Sequence, residues 1–402
     1  MSPAWLHIIG IGEDGMAGLS AAARSLVEAA EVIIGGDRHH VLSAAVRAQR
    51  VAWPSPFDAM IETIRSFQGR RVIVLVTGDP LWYSVGARIA RAIPPSQIVF
   101  HPQLSAFQLA ACRMGWSLAD TETLTVHGRP VEQILPFFHP GERLLILTRD
   151  ATSPGDIAAL LKANGYERSS MTVLAALGGP NEARFEGIAA QWALRSPSDI
   201  PDFHTLAVEC IAGDHPRILP KTGLPDSAFH HDGKMTKRAA RALALVKLVP
   251  ARGGLLWDIG AGCGSVAIEW MRAAPEARAI GLEPRQDRRA MAAQNALALG
   301  APALKLIDGR APEALEGLSA PDAVFIGGGL SAAVIDMCMA ALKPFGRLVV
   351  HAVTLESEAL LLAAHDRHGG ELIRLSVETA EPVGPYHGWR PAMPVMQWCW
   401  SR

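Results

Sequence analysis

The stretch Leu255-Leu256-Trp257-Asp258-Ile259 runs straight into Gly260-Ala261-Gly262-Cys263-Gly264-Ser265, and helical spacing begins at Val266. Glycine at every second position removes the Cβ and tolerates positive φ, so the backbone can turn tightly and approach a ligand closely. A buried strand, a glycine turn and a helix in direct succession form the opening unit of an α/β sheet. The alternation then continues. Strands are expected at Leu255–Ile259, Ala279–Glu283, Leu304–Ile307, Ala323–Ile326 and Leu348–Ala352. Helices are expected at Thr236–Leu248, Val266–Ala273, Asp287–Leu299, Ser331–Leu342 and Glu356–Arg367. Two strands with little helix between them, Leu372–Glu378 and Pro394–Cys399, predict a late hairpin on a mostly parallel sheet.

A chain of 402 residues exceeds one ordinary core, and 49% hydrophobic residues against 19% charged supply material for more than one. The first half repeats the α/β habit, with strands at Trp5–Ile9, Val72–Val76, Leu144–Leu147 and Leu206–Cys210. Helical spacing falls between them, at Ala21–Ala30, Val85–Ile93 and Ile157–Ala163. Gly213, Pro216, Pro220, Gly223 and Pro225 then interrupt the pattern. The sequence therefore predicts a domain over 1–211, a linker over 212–228 and a second domain over 229–402.

Several function classes are disfavoured. A formal net charge of -1 gives no global field for nucleic acid. No apolar run approaches the roughly 20 residues that span a bilayer, and the first residues do not read as a signal peptide. Five cysteines without CxxC spacing argue against a zinc site or disulfide framework and predict a cytoplasmic protein. The pairs His39-His40 and His230-His231 point apart on a regular element and have no third ligand spaced nearby. They are expected to be structural or surface groups, and no metal is expected.

Two cofactor readings compete for the glycine turn of the second half. The NAD fingerprint GxGxxG/A would place its third small residue at Ser265. Here the third glycine is Gly264, giving GxGxG after Asp258. That pattern resembles motif I of the class I S-adenosylmethionine-dependent methyltransferases, which have a Rossmann-like fold. The resemblance places Gly260, Ala261, Gly262, Cys263 and Gly264 around the cofactor. Glu283, about twenty residues on, is where an acid can accept both ribose hydroxyls. Asp308-Gly309-Arg310-Ala311 then falls where these enzymes contact adenine. Gly327, Gly328 and Gly329 follow the fourth strand, where the reacting groups meet. An NAD-dependent dehydrogenase and a ligand-free glycine turn stand as the rival readings.

In the first half, Gly10-Ile11-Gly12-Glu13-Asp14-Gly15 follows the first strand, and Gly78-Asp79-Pro80-Leu81-Trp82-Tyr83 follows Val72–Val76. Alone, each is a common turn. Together they resemble the class III, or tetrapyrrole, methylases, whose cofactor lies in a cleft between two α/β lobes. The matching positions are Gly10, Asp79, Leu81, Ser84 and Ser105, with Leu177-Gly178-Gly179-Pro180-Asn181-Glu182 in place of a conserved loop of that family. Pro102-Gln103-Leu104-Ser105 departs from the family's usual Pro-Gly-Val-Ser.

The order class III then class I, with His231-Asp232-Gly233-Lys234-Met235-Thr236-Lys237 ahead of the second glycine turn, resembles the decarboxylating precorrin-6Y methyltransferases of cobalamin biosynthesis. The resemblance implies S-adenosylmethionine as donor, S-adenosylhomocysteine as product, a tetrapyrrole substrate and a homo-oligomer. It gives carbon 5 to the N-terminal half, and carbon 15 with decarboxylation of the carbon-12 acetate to the C-terminal half, so that precorrin-8 is the product. It adds Thr236 to the second cofactor site. A cobalt-precorrin enzyme and a non-catalytic tetrapyrrole carrier are the alternatives.

Methyl transfer from a sulfonium to carbon is an in-line displacement on an electron-rich macrocycle, so alignment and exclusion of water can carry much of the catalysis. No Ser-His-Asp set is expected, and the catalytic residues stay unassigned. The acetates and propionates of such a substrate call for cations. Lys234, Lys237, Arg238, Arg241 and Arg390 are the candidates, with Trp389 beside the last, while His204 and His351 near strand ends could reach substrate. The acetate that loses carbon dioxide should instead lie against uncharged groups near Gly327–Gly329, because a tightly held carboxylate is stabilised in its ground state.

Overall fold

The computed structural model describes residues 4–402. Two compact units divide between Arg217 and Ile218, with the short segment Glu132–Pro136 counted in the second.

The first unit holds two five-stranded sheets. Strands β1 (Leu6–Ile11), β2 (Val32–Gly35), β3 (Gln49–Ala52), β4 (Val72–Thr77) and β5 (Ile98–His101) form a parallel sheet in the order β3-β2-β4-β1-β5. Its central strands are nearly continuous apolar runs because both faces are covered. Ile8, Val72 and Val74 enter one core cluster, while Ile9, Ile73 and Leu75 enter another, as a period of two requires. The second sheet is mixed. Strands β6 (Glu122–Thr125), β7 (Arg143–Leu147), β8 (Ser170–Ala175), β9 (Ala183–Ile188) and β10 (His204–Glu209) lie in the order β6-β7-β10-β8-β9, with only β6–β7 parallel.

The second unit carries a seven-stranded sheet built from β11 (Leu255–Ile259), β12 (Arg278–Leu282), β13 (Lys305–Ile307), β14 (Ala323–Ile326), β15 (Arg347–Ala352), β16 (Glu371–Leu375) and β19 (Val395–Ser401). The order is β13-β12-β11-β14-β15-β19-β16, parallel from β13 through β15 and antiparallel where β19 enters between β15 and β16. The strand order reverses at β11, between β12 and β14, which is where ligands bind in open α/β sheets. All five parallel strands lie within two residues of their expected bounds.

The end of the chain departs from expectation. β16 and β19 do pair, but β16 stops at Leu375, and a separate hairpin, β17 (Glu378–Val383) with β18 (Tyr386–Pro391), fills the interval. Glu378 belongs to that hairpin. Pro382, Gly384, Pro385 and Pro391 masked it, because prolines and glycine read as loop rather than strand. The helix expected from Thr236 starts at Arg238, with Lys237 at its N-cap.

Arg241 in that helix corrects another expectation. It was a candidate for substrate carboxylates, yet its side chain is fully buried. Its Nε donates to Glu269 Oε1 (2.6 Å), one terminal nitrogen to Asp226 Oδ1 (3.1 Å) and the Thr236 carbonyl (2.6 Å), and the other to the Leu224 carbonyl (2.5 Å). Glu269 also accepts from the backbone N–H groups of Gly223 and Leu224 (2.5 and 3.0 Å). The segment Gly223–Thr236 is thus stitched to the second unit by one buried ion pair. Arg241→Met should destabilise this unit by about 3–5 kcal/mol, because Glu269 would stay buried without its partner; denaturant unfolding of the full chain checks it.

Candidate functional site

In the second unit the glycine turn leaves the C-terminal end of β11. Gly260, Gly262 and Gly264 have φ of 72°, 57° and 81°, all in the left-handed region. Each has a different steric reason. A Cβ on Gly260 would lie 2.8 Å from the backbone of Gly328, whose loop follows β14. A Cβ on Gly264 would press on Ala292 Cβ at 3.1 Å, in the helix Gln286–Ala298. At Gly262 the nearest atom would be the Lys234 carbonyl oxygen at 3.7 Å, so that glycine leaves space above the turn.

Two buried carboxylates sit beneath this space. Glu283, one residue past β12, accepts from Gly262 N–H (3.0 Å) and Arg285 N–H (3.0 Å). Asp258 accepts from Ala267 N–H (3.0 Å) in the first turn of the helix Ser265–Ala273. Burial, with some repulsion from Glu283, pushes the Asp258 carboxyl up from 3.8 to about 7. Ala261 and Cys263 are buried, and the Cys263 carbonyl accepts from Asn295 Nδ2 (2.9 Å).

Asn295 also brackets the backbone of His230, accepting from its N–H (2.8 Å) and donating to its carbonyl (2.9 Å). The approach segment therefore lies over the turn, tied by Asn295 at one end and by Arg241 on the Thr236 carbonyl at the other. Neither tie was read from the sequence. Asn295 looks like an ordinary polar position in a polar helix, and only its burial distinguishes it.

The other candidates of this unit differ in setting. Gly309 (φ 155°) packs where a Cβ would strike Ala314 Cβ at 2.6 Å, and Ala311 is half-buried. Asp308 is held by Arg289 through two contacts (2.9 and 2.8 Å). Gly327 N–H donates to the Ile259 carbonyl (2.9 Å), and Gly327 and Gly329 are exposed. Lys234, Lys237 and Arg238 are exposed and form no ion pair among the described residues. Arg390 lies on the exposed hairpin, paired with Glu381 (2.9 Å), next to Trp389. His351 is held by Gln397 (2.8 Å) across β15 and β19.

In the first unit, Gly10 lies one residue before the end of β1 and Gly78 directly follows the neighbouring strand β4. A Cβ on Gly10 would stand 1.8 Å from the Gly78 carbonyl oxygen, and one on Gly78 would stand 2.9 Å from Ser105 Cα. Asp79 turns back to accept from Leu81 N–H (2.7 Å), which leaves the Leu81 side chain exposed. Ser84 is half-buried beyond it. Ser105 caps the helix Ala106–Met114: its hydroxyl accepts from Gln108 N–H (3.4 Å) while its own N–H donates to Gln108 Oε1 (2.7 Å). In the loop Leu177–Glu182, Glu182 accepts from Gly178 N–H (2.7 Å) and pairs with Arg113 (2.5 Å). His204 Nδ1 contacts the Pro201 carbonyl (2.8 Å). Among the described residues no three His, Cys, Asp or Glu side chains converge as metal ligands, and no helix is long and apolar enough to cross a membrane.

A family model described as tetrapyrrole (corrin/porphyrin) methylases matches residues 5–192, and one described as a precorrin methyltransferase domain matches residues 227–402. Over 401 residues the chain is 45% identical to the precorrin-6Y C(5,15)-methyltransferase (decarboxylating) of Sinorhizobium sp, which covers 99% of this chain and 96% of that one. The chain belongs to this family. Shorter relatives match parts of it. The cobalt-precorrin-6B C(15)-methyltransferase (decarboxylating) of Salmonella typhimurium is 35% identical over 167 residues, 40% of this chain and 85% of its own length. The cobalt-precorrin-7 C(5)-methyltransferase of the same organism is 28% identical over 180 residues, 44% of this chain and 87% of its own. The two glycine-walled sites of this chain fall one within each matched region.

Substitutions in the turn above Glu283 separate backbone strain from steric clash. Gly260→Ala and Gly262→Ala both carry about 1–2 kcal/mol of left-handed strain, but only the first also drives a Cβ into backbone. The thermal unfolding midpoint should therefore drop markedly for Gly260→Ala and modestly for Gly262→Ala. A second prediction concerns Asp258. A carboxyl raised from 3.8 to about 7 keeps its proton longer in the folded chain than in the unfolded one, so it subtracts stability progressively as pH rises through that window. The unfolding midpoint of Asp258→Asn relative to wild type should rise between about pH 4 and pH 7 and level off above; a pH-independent difference would contradict this assignment.

Proposed function

We propose that this chain transfers methyl groups from S-adenosylmethionine to carbons 5 and 15 of precorrin-6Y, removes the carbon-12 acetate carboxylate, and releases precorrin-8 and S-adenosylhomocysteine. Carbon 5 is assigned to the first unit; carbon 15 and decarboxylation are assigned to the second. The two Salmonella relatives support that division, since they carry C(5) and C(15) in their names as separate proteins and each aligns with less than half of this chain. The tetrapyrrole is the partner, and assembly into a homo-oligomer belongs to the same reading.

The observation that carries the cofactor assignment is Glu283 beneath Gly262. Its carboxylate is fixed by two backbone N–H groups and keeps lone pairs for a ribose diol, while Gly262 leaves the space above open. Asp258 already takes an N–H of the helix that follows, so a dinucleotide pyrophosphate would meet an occupied helix end and a carboxylate beneath it. That disfavours NAD. Thr236, Gly260, Ala261, Gly262, Cys263, Gly264, Glu283, Gly309 and Ala311 are the proposed second cofactor site. Gly10, Asp79, Leu81, Ser84 and Ser105 are the proposed first.

When bound, S-adenosylmethionine supplies an electrophilic methyl on a sulfonium. The chain's part is to hold and align. Arg241 and Asn295 fix the approach segment over the turn, so that the Lys234 carbonyl is held above Gly262 at a set spacing. Lys237 and Arg238, exposed and unpaired among the described residues, suit the non-reacting carboxylates of the substrate, and Arg390 can exchange Glu381 for one. Gly327–Gly329 present backbone alone to the acetate that is lost. There the carbon–carbon bond breaks, its electron pair passes into the conjugated macrocycle, and a proton replaces the carbon dioxide. A neutral wall favours that charge dispersal.

Mass spectrometry of precorrin-6Y incubated with the protein and S-adenosylmethionine should show two methyl groups gained and one carbon dioxide lost. An unchanged mass, or tight NAD binding without S-adenosylmethionine binding, would overturn the reading. Glu283→Gln should weaken S-adenosylmethionine at the second site by about 10–100-fold, the worth of a charged hydrogen bond, and leave the first site intact; calorimetric titration resolves the two.

A further inference from the structure

The short helix Asp37–Leu42 follows β2 and contains Arg38, His39 and His40, none of which the proposed chemistry uses. Arg38 makes three contacts to three different parts of the first unit. One terminal nitrogen forms an ion pair with Glu13, inside the turn Gly10–Gly15. The other donates to the Thr77 hydroxyl, at the last residue of β4 before Gly78-Asp79-Pro80. The guanidinium lies over the ring of Phe203, 4.0 Å from its centroid, at the entry to β10 in the second sheet. His39 adds to the clamp, with Nδ1 accepting from Gly36 N–H (3.2 Å) and Nε2 meeting the same Thr77 hydroxyl (3.1 Å). On the other side, Gly179 closes on Glu13 so tightly that a Cβ there would be 2.5 Å from Glu13 Cβ.

We propose that Arg38 is the positioning residue of the first cofactor site, locking the turns Gly10–Gly15 and Gly78–Tyr83 into one geometry and seating both against the second sheet. This rests on the functional reading above. A guanidinium suits the task because its planar fork can serve a carboxylate and a hydroxyl while its face stacks on an aromatic ring. Lysine could hold Glu13 or Thr77 but could not stack or span both. Burial lowers Arg38 only to about 10, so it stays cationic at neutral pH. Burial and the neighbouring Arg38 charge hold His39 down to about 4, so His39 adds no second cation to the clamp at neutral pH.

The test counts binding sites. Calorimetric titration of the full-length wild type with S-adenosylmethionine should give two sites, and Arg38→Ala should lose one while the other keeps its affinity. With precorrin-6Y the variant should yield product with one methyl group fewer than wild type, and residual first-site methylation should show an S-adenosylmethionine KM raised on the order of tenfold or more. Arg38→Lys should restore little of this, and Thr77→Val, which spares the ion pair, should raise KM less than Arg38→Ala does. A folded Arg38→Ala protein with two unaltered sites overturns the proposal. If Arg38→Ala fails to fold, Arg38→Lys and Thr77→Val decide, and wild-type affinity at both sites in both variants overturns it equally. Two sites in a wild type that methylates no precorrin would overturn the functional reading alone, and the loss of one site in Arg38→Ala would still support the clamp.

Discussion

Each unit depends on one close approach of two backbones at the ends of neighbouring parallel strands. In the first, Gly10 lies at the penultimate position of β1 and Gly78 directly follows β4, and a Cβ on Gly10 would overlap the Gly78 carbonyl. In the second, β11 and β14 lead to Gly260 and Gly328, where a Cβ on Gly260 would strike the facing backbone. No side chain fits either gap. The consequence is the same in both folds, which otherwise share neither strand order nor sheet number. The two turns are drawn together until their peptide groups, rather than side chains, wall the site.

Charge is spent in two ways around these walls. Arg241 is wholly buried, and its contacts are internal: Glu269, Asp226, two carbonyls and the face of the Phe229 ring. Such a network contributes less net stability than its contact list suggests, because desolvation offsets much of the attraction, but removing one member is severe. Lys237 and Arg238 begin the same helix, exposed and unpaired among the described residues. One helix therefore separates a cation that fixes the architecture, Arg241, from cations that face solvent, Lys237 and Arg238. The separation follows helical phase, since Arg241 lies on the face that packs inward with Ala244, Leu245 and Leu248.

This helical phase also explains what the sequence could reveal. Arg238 and Arg241 are three residues apart in a run of basic and alanine residues, and only packing tells which one turns inward. The five parallel strands of the second unit were legible because each is an apolar run bounded by turn residues. In the first unit β3, β5 and β6 escaped notice because they are short and partly exposed, whereas β2, β8 and β9 do carry strand patterns, two buried runs and one strict alternation, that went unread. The glycine turns were legible at both sites, since glycine at fixed offsets has few other causes. Asn295, Glu13 and Arg38 were not, because their partners are distant in sequence and come together only on folding.

The insertion of β19 between β15 and β16 bears on how the second unit is made. During folding, β15 presents an open edge and β16 has no strand to pair with until β19 docks between them, because β19 is its partner among the described strands. The intervening hairpin β17–β18 closes upon itself and offers β16 no edge. A chain in which β19 has not docked exposes an unpaired edge of the kind that recruits other chains. Glu371 and Arg374 in β16 place charges on that strand, a feature that discourages edge pairing with another copy.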